Sequence, residues 1–221
     1  DGDQLGLIEI NTNAGGALLN VISQRAQAAC CDEVQRLLPP PQAADRFEVD
    51  IVAMFQQEWA LSGRSGPLRT IAIVDESPQS QFLYPEFELF RQLFVQHGLR
   101  AVVCDPSKLH LADGALRYQG EAIDIVYNRL TDFYLEDPRH SALRLAYLAG
   151  QVLLTPHPQA HALYADKRNL MVLSDANALQ AMGLPAHDAM TLALAVPQTV
   201  ALGPDNAEAL WRERRDWFFK P

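Results

Sequence analysis

Thr70-Ile71-Ala72-Ile73-Val74 and Arg100-Ala101-Val102-Val103-Cys104 are two short, almost unbroken apolar runs. Between them, about Pro85 to His97, Phe87, Phe90 and Phe94 recur at helical spacing with Leu83, and Gly98 stands where a C-terminal cap belongs. A buried strand, an amphipathic helix and a second buried strand are the repeating unit of a parallel sheet. The rhythm continues with an apolar run at Ile123 to Tyr127, a helical stretch at Ser141 to Gly150 and a further run at Val152 to Thr155. This spacing predicts an α/β fold, a parallel sheet with crossover helices, over residues 67–165. Core packing is the expected job of the three phenylalanines.

Outward from this block the pattern is different. Leu5 to Asn11 is rich in Leu and Ile and reads as a short buried strand, and Asn13-Ala14-Gly15-Gly16 follows as a turn. Leu18, Ile22, Ala26, Cys30, Val34 and Leu37 form one helical stripe that Pro39-Pro40-Pro41 must end, because proline lacks the N–H that a helix needs. A second helix, about Phe47 to Leu61, carries Phe47, Ile51, Met54 and Phe55 on one face. Ser62-Gly63-Arg64-Ser65-Gly66-Pro67 then reads as a linker, which places a boundary near residue 66. Downstream, Lys167 to Ala181 reads as one or two helices capped at Ser174-Asp175, Arg212, Arg214 and Arg215 with Glu208 and Glu213 as a solvated helix face, and Trp217 to Phe219 as a strand. The expected parts are 1–66, 67–165 and 166–221.

Composition narrows the function classes. The 221 residues are 48% hydrophobic and 20% charged with 12 Gly and 14 Pro, a globular balance. No apolar run approaches the ~20 residues of a membrane span, and Asp1-Gly2-Asp3 does not resemble the start of a signal peptide, so the expectation is a soluble cytoplasmic chain without a membrane partner. Lys and Arg number 18 against 27 Asp and Glu, a formal net charge of -9 that disfavours nucleic acid as a partner. Three cysteines, Cys30 and Cys31 adjacent, read as buried thiols in a reducing compartment. His157 and His161 lack a third ligand nearby and are set aside as a metal site. No Gly-x-Ser-x-Gly, Walker loop or Gly-x-Gly-x-x-Gly occurs.

Glu9 and Asn11 are two apart, so in an extended segment both side chains leave one face. One carboxylate and one amide oxygen beside a glycine turn suit magnesium, which takes hard oxygen ligands and usually shares them with substrate phosphates. Taken alone, Glu-x-Asn equally describes a solvent-facing strand edge. Arg129 closes the apolar strand Ile123 to Tyr127 at the carboxyl end, where open α/β sheets bind ligands. An ion pair with Asp132 or Asp124 is the alternative for it. Lys167 beside Arg168, and Lys220, read by themselves as ordinary solvated charge.

The segment Leu7-Ile8-Glu9-Ile10-Asn11-Thr12-Asn13-Ala14-Gly15-Gly16 resembles the metal-binding strand of circularly permuted ATP-grasp ligases, in particular eukaryotic-type glutathione synthetase. Further motifs follow in that family's order across nearly the whole chain. Val126-Tyr127-Asn128-Arg129 is similar to its Val-Tyr-x-Arg strand end, Ala165-Asp166-Lys167 to the start of its ATP-lysine helix, and Phe218-Phe219-Lys220-Pro221 to its second ATP lysine. The resemblance implies magnesium held by Glu9 and Asn11, ATP contacted by Glu9, Lys167 and Lys220, and Arg129 as the catalytic residue near the reacting carboxylate. It places the peptide-type substrate near Asn13, Ser80, Gln81, Tyr84, Arg129 and Asp132. Two stretches depart from the family: Asn13-Ala14-Gly15-Gly16 is short and has no hydroxyl, and Leu130-Thr131-Asp132 replaces Asp-Gly-Tyr.

The expectation is an ATP- and magnesium-dependent carboxylate–amine ligase acting through an acyl phosphate, with small-molecule or peptide carboxylate and amine substrates. The chain is expected to be part of a longer protein and inactive alone. The alternative is a non-catalytic α/β module binding a small anion at Arg129 and the loop from Glu76 to Tyr84. A third reading makes the helices at 17–38 and 47–61 the face of a homodimer.

Overall fold

The computed structural model describes residues 5–220; Asp1-Gly2-Asp3 and Pro221 of the Lys-Pro motif lie outside the described residues. The chain divides into two compact units, one of residues 12–161 and one of residues 5–11 with 162–220.

The larger unit is α/β and is built on a four-stranded parallel sheet in which residues 70–74 lie between 100–104 and 125–128, with 153–155 beyond the latter at the edge. β1 (Thr70–Val74) pairs with β2 (Arg100–Cys104) from Thr70↔Arg100 to Val74↔Cys104, and with β6 (Ile125–Asn128) from Ile71↔Ile125 to Val74↔Asn128. β7 (Leu153–Thr155) pairs with β6. Period-two alternation sends Ile71 and Ile73 to one face and Ala72 and Val74 to the other. On the first face Ile71, Ile73 and Ile125 pack with Leu18, Ile51, Val52, Phe55, Phe87, Phe90 and Phe94. These come from α1 (Ala17–Ala28), α3 (Pro41–Leu61) and α4 (Tyr84–Gln96). On the second face Ala72, Val74, Val126 and Leu154 pack with Leu116, Leu143 and Ala146. Those partners come from a small antiparallel sheet, β3 (His110–Ala112), β4 (Ala115–Tyr118) and β5 (Glu121–Ala122), and from α5 (Ser141–Leu148).

The helix α4 makes the expected crossover from β1 to β2, and α5 that from β6 to β7. The crossing from β2 to β6 has no α-helix; a single 3₁₀ turn at Pro106–Lys108 and the small antiparallel sheet take its place. The two turns of that sheet are Asp113-Gly114, with φ of 51° and 71°, and Gln119-Gly120, with φ of 50° and 84°. Left-handed backbone at both central residues is what a tight hairpin requires, and the glycine supplies it without strain.

Several expected elements shift. The first helix breaks at residues 29–31 into α1 and α2 (Asp32–Leu37), and the buried residues of α1 are Leu18 and Val21, whereas Ile22 and Leu37 are exposed. Cys30 and Cys31 fall on that break and are exposed, so only Cys104 is a buried thiol, and burial pushes it up to about 12. The triple proline separates α2 from α3 instead of ending one long stripe, Pro41 taking the first-turn position where a missing N–H costs nothing. Within α3, Ile51, Val52 and Phe55 are buried and Phe47 and Met54 are not. The linker 62–67 is irregular, yet no change of core falls on it, because Phe55 upstream and Phe94 downstream meet edge to face at 5.0 Å.

The smaller unit contains α7 (Asn169–Leu173), α8 (Ala176–Ala181), α9 (Ala186–Ala195) and α10 (Ala207–Arg212), preceded in the chain by the single turn α6 (Pro158–Ala160). α7, α8 and α9 pack on one another. Asp175 caps α8 by accepting N–H bonds from Asn177 and Ala178, as its position predicts. Of the expected solvated helix face, Glu208 and Arg212 lie on α10 and form an exposed ion pair, whereas Glu213, Arg214 and Arg215 follow the end of that helix. Residues 5–11 are not a buried strand: Leu5 and Ile8 are exposed, and Leu7 N–H donates to the Ala195 carbonyl at 2.8 Å. Residues 217–219 are likewise irregular, because a strand needs a neighbour and none pairs with either segment among the described residues. No helix of the described residues is long and apolar enough to cross a membrane.

Phe55 is 1% exposed and also packs edge to face on Tyr127 at 5.2 Å. Phe55→Ala is therefore expected to lower unfolding stability by about 3–5 kcal/mol in urea melts, and a loss below ~1 kcal/mol would mean that α3 does not share the core of the sheet.

Candidate functional site

β2 and β6 lie on opposite sides of β1, so the chain reverses its direction of travel across the sheet at the β1–β6 pair. The crevice at the carboxyl ends of such a pair is where open parallel sheets bind ligands. Several polar residues of the larger unit follow the strands at that edge: Asp75, Glu76 and Ser77 after β1, Asp105 after β2, and Arg129 after β6. Asp75 is half-buried, and that burial pushes its carboxyl up to about 6 against the opposing pull of the Glu76 N–H and of Arg129. Asp105 accepts the N–H of Ser77 at 2.7 Å, which holds Ser77 in left-handed backbone with φ of 41°.

The loop after β6 is fastened to the loop after β1. His140 is completely buried; its Nδ1 lies 2.7 Å from Asp132 Oδ2 and its Nε2 3.2 Å from Glu76 Oε1, the latter without hydrogen-bond alignment. Asp132 also accepts the N–H of Asp137, and Arg139 bridges Glu76 at 2.9 Å and Asp137 at 2.7 Å. Asp132 and Asp124 are thus engaged elsewhere than with Arg129, Asp124 accepting the N–H groups of Arg69 and Thr70.

Arg129 is 7% exposed. Its Nη1 donates to Asn13 Oδ1 at 2.5 Å, to the Ala14 carbonyl at 3.0 Å and to Tyr127 Oη at 3.3 Å, and its guanidinium lies 5.2 Å from the centre of the Tyr127 ring. Asn13 is used on both ends of its amide, since Nδ2 donates to the Leu130 carbonyl. The turn from Asn13 leads into α1, whose first N–H groups would ordinarily be an anion site. Glu86, 1% exposed, already fills it: its carboxylate accepts from Gly16 N–H at 2.7 Å and from Leu18 N–H at 3.0 Å. Of the other expected substrate residues, Ser80 is exposed in a single 3₁₀ turn, Gln81 donates to the Glu76 carbonyl at 2.7 Å, and Tyr84 Oη lies 3.4 Å from Glu88.

In the smaller unit, residues far apart in sequence meet. Lys220 Nζ lies 2.8 Å from Glu9 Oε2 and 3.2 Å from the Ile8 carbonyl, and Asn11 Nδ2 donates to Glu9 Oε1 at 3.0 Å. The hydrogen bonds from Lys220 and Asn11 hold the Glu9 carboxyl below its usual range, and Lys167 adds to the effect. Neighbouring Asp166 and Arg168 form an ion pair. Glu9 and Asn11 bring one carboxylate and one amide oxygen, a donor set suited to a magnesium ion that shares phosphate oxygens and keeps water. A cage made by the protein alone is a different matter, as no group of three or more His, Cys, Asp or Glu that could hold a metal occurs among the described residues. His157 instead caps α6 by accepting the Ala160 N–H, and His161 stacks on Phe133 at 3.8 Å.

The structure adds Asp75, Asp105, Glu86, Tyr127 and His140 to the residues read from sequence. Asp75 and Asp105 each follow directly on an apolar strand, a placement visible in the sequence; no pattern marks Glu86 or His140. No protein-family model matches the chain, and no curated protein is significantly similar to it.

The raised carboxyl of Asp75 links stability to pH. Its contribution is fully present below the ordinary carboxyl value of 3.8 and is lost as pH rises through about 6. Asp75→Asn should accordingly melt higher than the native chain at pH 7.5 and equal to it below pH 4; equal melting at both would place Asp75 in solvent.

Proposed function

We propose that this chain carries the metal-binding segment, the substrate domain and the ATP lysines of an ATP- and magnesium-dependent carboxylate–amine ligase of the permuted ATP-grasp type. The observation that carries the proposal is the meeting of Glu9, Asn11 and Lys220, with Lys167 near enough to act on Glu9, although Glu9 and Lys220 are 211 residues apart. These are the residues that the resemblance assigns to magnesium and ATP. An exposed ion pair contributes little to stability, so holding the fold together is a weak account of the cluster. The α/β unit, with its polar carboxyl edge, supports the substrate role.

In this reading a carboxylate oxygen of one substrate attacks the terminal phosphorus of ATP, ADP leaves, and an acyl phosphate forms. The amine of the second substrate then attacks the acyl carbon, phosphate departs and a proton is released. Magnesium would neutralise crowded phosphate oxygens. Glu9 and Asn11 would hold it, while Lys220 and Lys167 would bring positive charge to the phosphates. A module that only captures a small anion at Arg129 is the weaker reading, because Nη1 is already shared among Asn13, Ala14 and Tyr127 and the carboxylate of Asp75 stands nearby. The substrates joined, the cytoplasmic setting and a homodimer are further parts of the proposal that rest on the sequence.

Thermal unfolding of the whole natural protein with ATP and magnesium tests it. A ligand at about 100 times its dissociation constant adds about 2.7 kcal/mol. The expected result is a magnesium-dependent rise in Tm that Glu9→Gln abolishes and Lys220→Ala reduces. Absence of any ATP effect in the native protein, with calorimetry showing no binding, would overturn the proposal.

A further inference from the structure

We infer that His140 is a pH-sensitive clasp at the carboxyl edge of the larger unit: as imidazolium it joins the loop after β1 to the loop after β6, and on losing its proton it releases them. The inference lies wholly within residues 12–161 and rests on the ligase reading only for what the joined loops do.

The ring is completely buried, and each of its nitrogens faces a carboxylate. Nδ1 meets Asp132 Oδ2 of its own loop at 2.7 Å, and Nε2 meets Glu76 Oε1 of the loop after β1 at 3.2 Å. A neutral imidazole has one N–H and one lone pair. Whichever nitrogen keeps the proton, the other turns its lone pair on a carboxylate oxygen. Only the imidazolium offers an N–H to both. Nε2 is the one buried side-chain nitrogen or oxygen without a hydrogen-bond partner among the described residues, because its contact with Glu76 is out of line. Attraction between opposite charges needs no alignment, so the charged ring still holds Glu76, whereas the neutral ring leaves an orphaned buried nitrogen beside an anion.

The charge around the ring is mostly negative. Asp137 and Arg139 stand on the same 3₁₀ turn, Asp137 at its cap, and Arg139 reaches both Glu76 and Asp137. Asp105 precedes the Pro106–Lys108 turn that packs on this one, and its carboxylate accepts from Ser77 and Ser107. Lys108 on that turn and Arg144 on α5 are exposed. Burial raises the Asp132 carboxyl, but the N–H groups of Asp137 and Glu136, and then His140, bring it below its ordinary value, so it stays an anion while the ring titrates.

Glu76 opens the loop that runs to Tyr84, and the next residue, Ser77, is held in left-handed backbone that a non-glycine residue rarely keeps unaided. His140 and Arg139 tether Glu76, and Asp105 tethers Ser77. Of the three tethers only the histidine is of a residue type whose charge ordinarily changes between about pH 5 and 8. The loop carries Ser80, Gln81 and Tyr84, and the facing loop carries Asp132, all of which the ligase reading gives to the substrate. That edge is therefore closed while His140 is charged, and it loosens as pH rises.

Nitrogen-15 NMR of the His140 ring in the whole natural protein, beside amide hydrogen exchange at Ser77, Ser80 and Asp137 from about pH 5.5 to about pH 8.5, tests the clasp. The ring is expected to be protonated on both nitrogens at the acid end. Protection factors, corrected for the intrinsic pH dependence of exchange, should fall about tenfold as the ring loses its proton. In Glu76→Gln the carboxamide can donate to a neutral Nε2 and still accept from Arg139, so protection should no longer fall as pH rises. His140→Gln should show low protection across the whole range; if it fails to fold, as read by circular dichroism, Glu76→Gln decides the matter. A native ring that keeps one charge state throughout, protection that stays constant while the ring titrates, or a Glu76→Gln protein with the native pH dependence would each overturn the inference. No nucleotide enters these measurements, so their failure leaves the ligase reading standing. A native protein that binds no magnesium–ATP would leave the clasp standing and remove only its role at a substrate edge.

Discussion

The parallel pairing of β1 on both its edges is the constraint on which the larger unit depends. No residue of Thr70–Val74 is more than 5% exposed, so the backbone groups of that strand must find their partners in β2, in β6 or in the residues flanking them, and every side chain must be covered. Two apolar layers result, three helices on one face and α5 with the antiparallel sheet on the other. The same pairing forces polar chemistry to the strand ends. At the amino end Asp124 answers the N–H groups of Arg69 and Thr70. At the carboxyl end Asp75, Asp105 and Arg129 leave the sheet together, and the half-burial of Asp75 follows from standing one residue beyond a fully covered strand.

That strand was also the most legible part of the sequence. Thr70–Val74 and Arg100–Cys104 fall where their apolar runs predict, because a strand buried on both faces has no choice but to be apolar throughout. The connection between β2 and β6 has no apolar periodicity to announce it; Asp113-Gly114 is the local hairpin signal that it carries. The single stripe from Leu18 to Leu37 failed for a different reason. Three- and four-residue spacing is preserved across a break such as residues 29–31, so periodicity alone cannot tell one helix from two. The Leu and Ile content of Leu5 to Asn11 suggests burial, but burial is a property of the cover, and no strand pairs with that segment among the described residues.

The candidate site divides along the same line. Arg129 and Asp75 mark themselves by following apolar strands, so their position was open to the sequence even where their contacts were not. The approach of Lys220 to Glu9 has no local signature; only the order of motifs along the chain suggested that the two belong together. Glu86 is the extreme case. Set between Pro85 and Phe87 in the first turn of α4, it reads as an ordinary acid at a helix start, favoured there by the helix dipole. Its carboxylate in fact answers the first N–H groups of a different helix, α1, which is a tertiary fact that no spacing could carry.

That placement bears on how nucleotide phosphates could be met at all. A glycine pair opening a helix is the usual beginning of a phosphate cradle, with N–H groups aimed at the anion. Here Glu86 supplies the anion internally, so a phosphate at the start of α1 would have to displace a buried carboxylate and leave it without partners, a heavy cost in such surroundings. Within the ligase reading the turn from Asn13 to Gly16 is therefore structural, and phosphate charge falls to Lys220, Lys167 and whatever cation Glu9 and Asn11 hold. The departure of this turn from the family pattern, short and without a hydroxyl, agrees with that division: a turn closed by an internal arginine and an internal glutamate has no need of a side chain to reach outward.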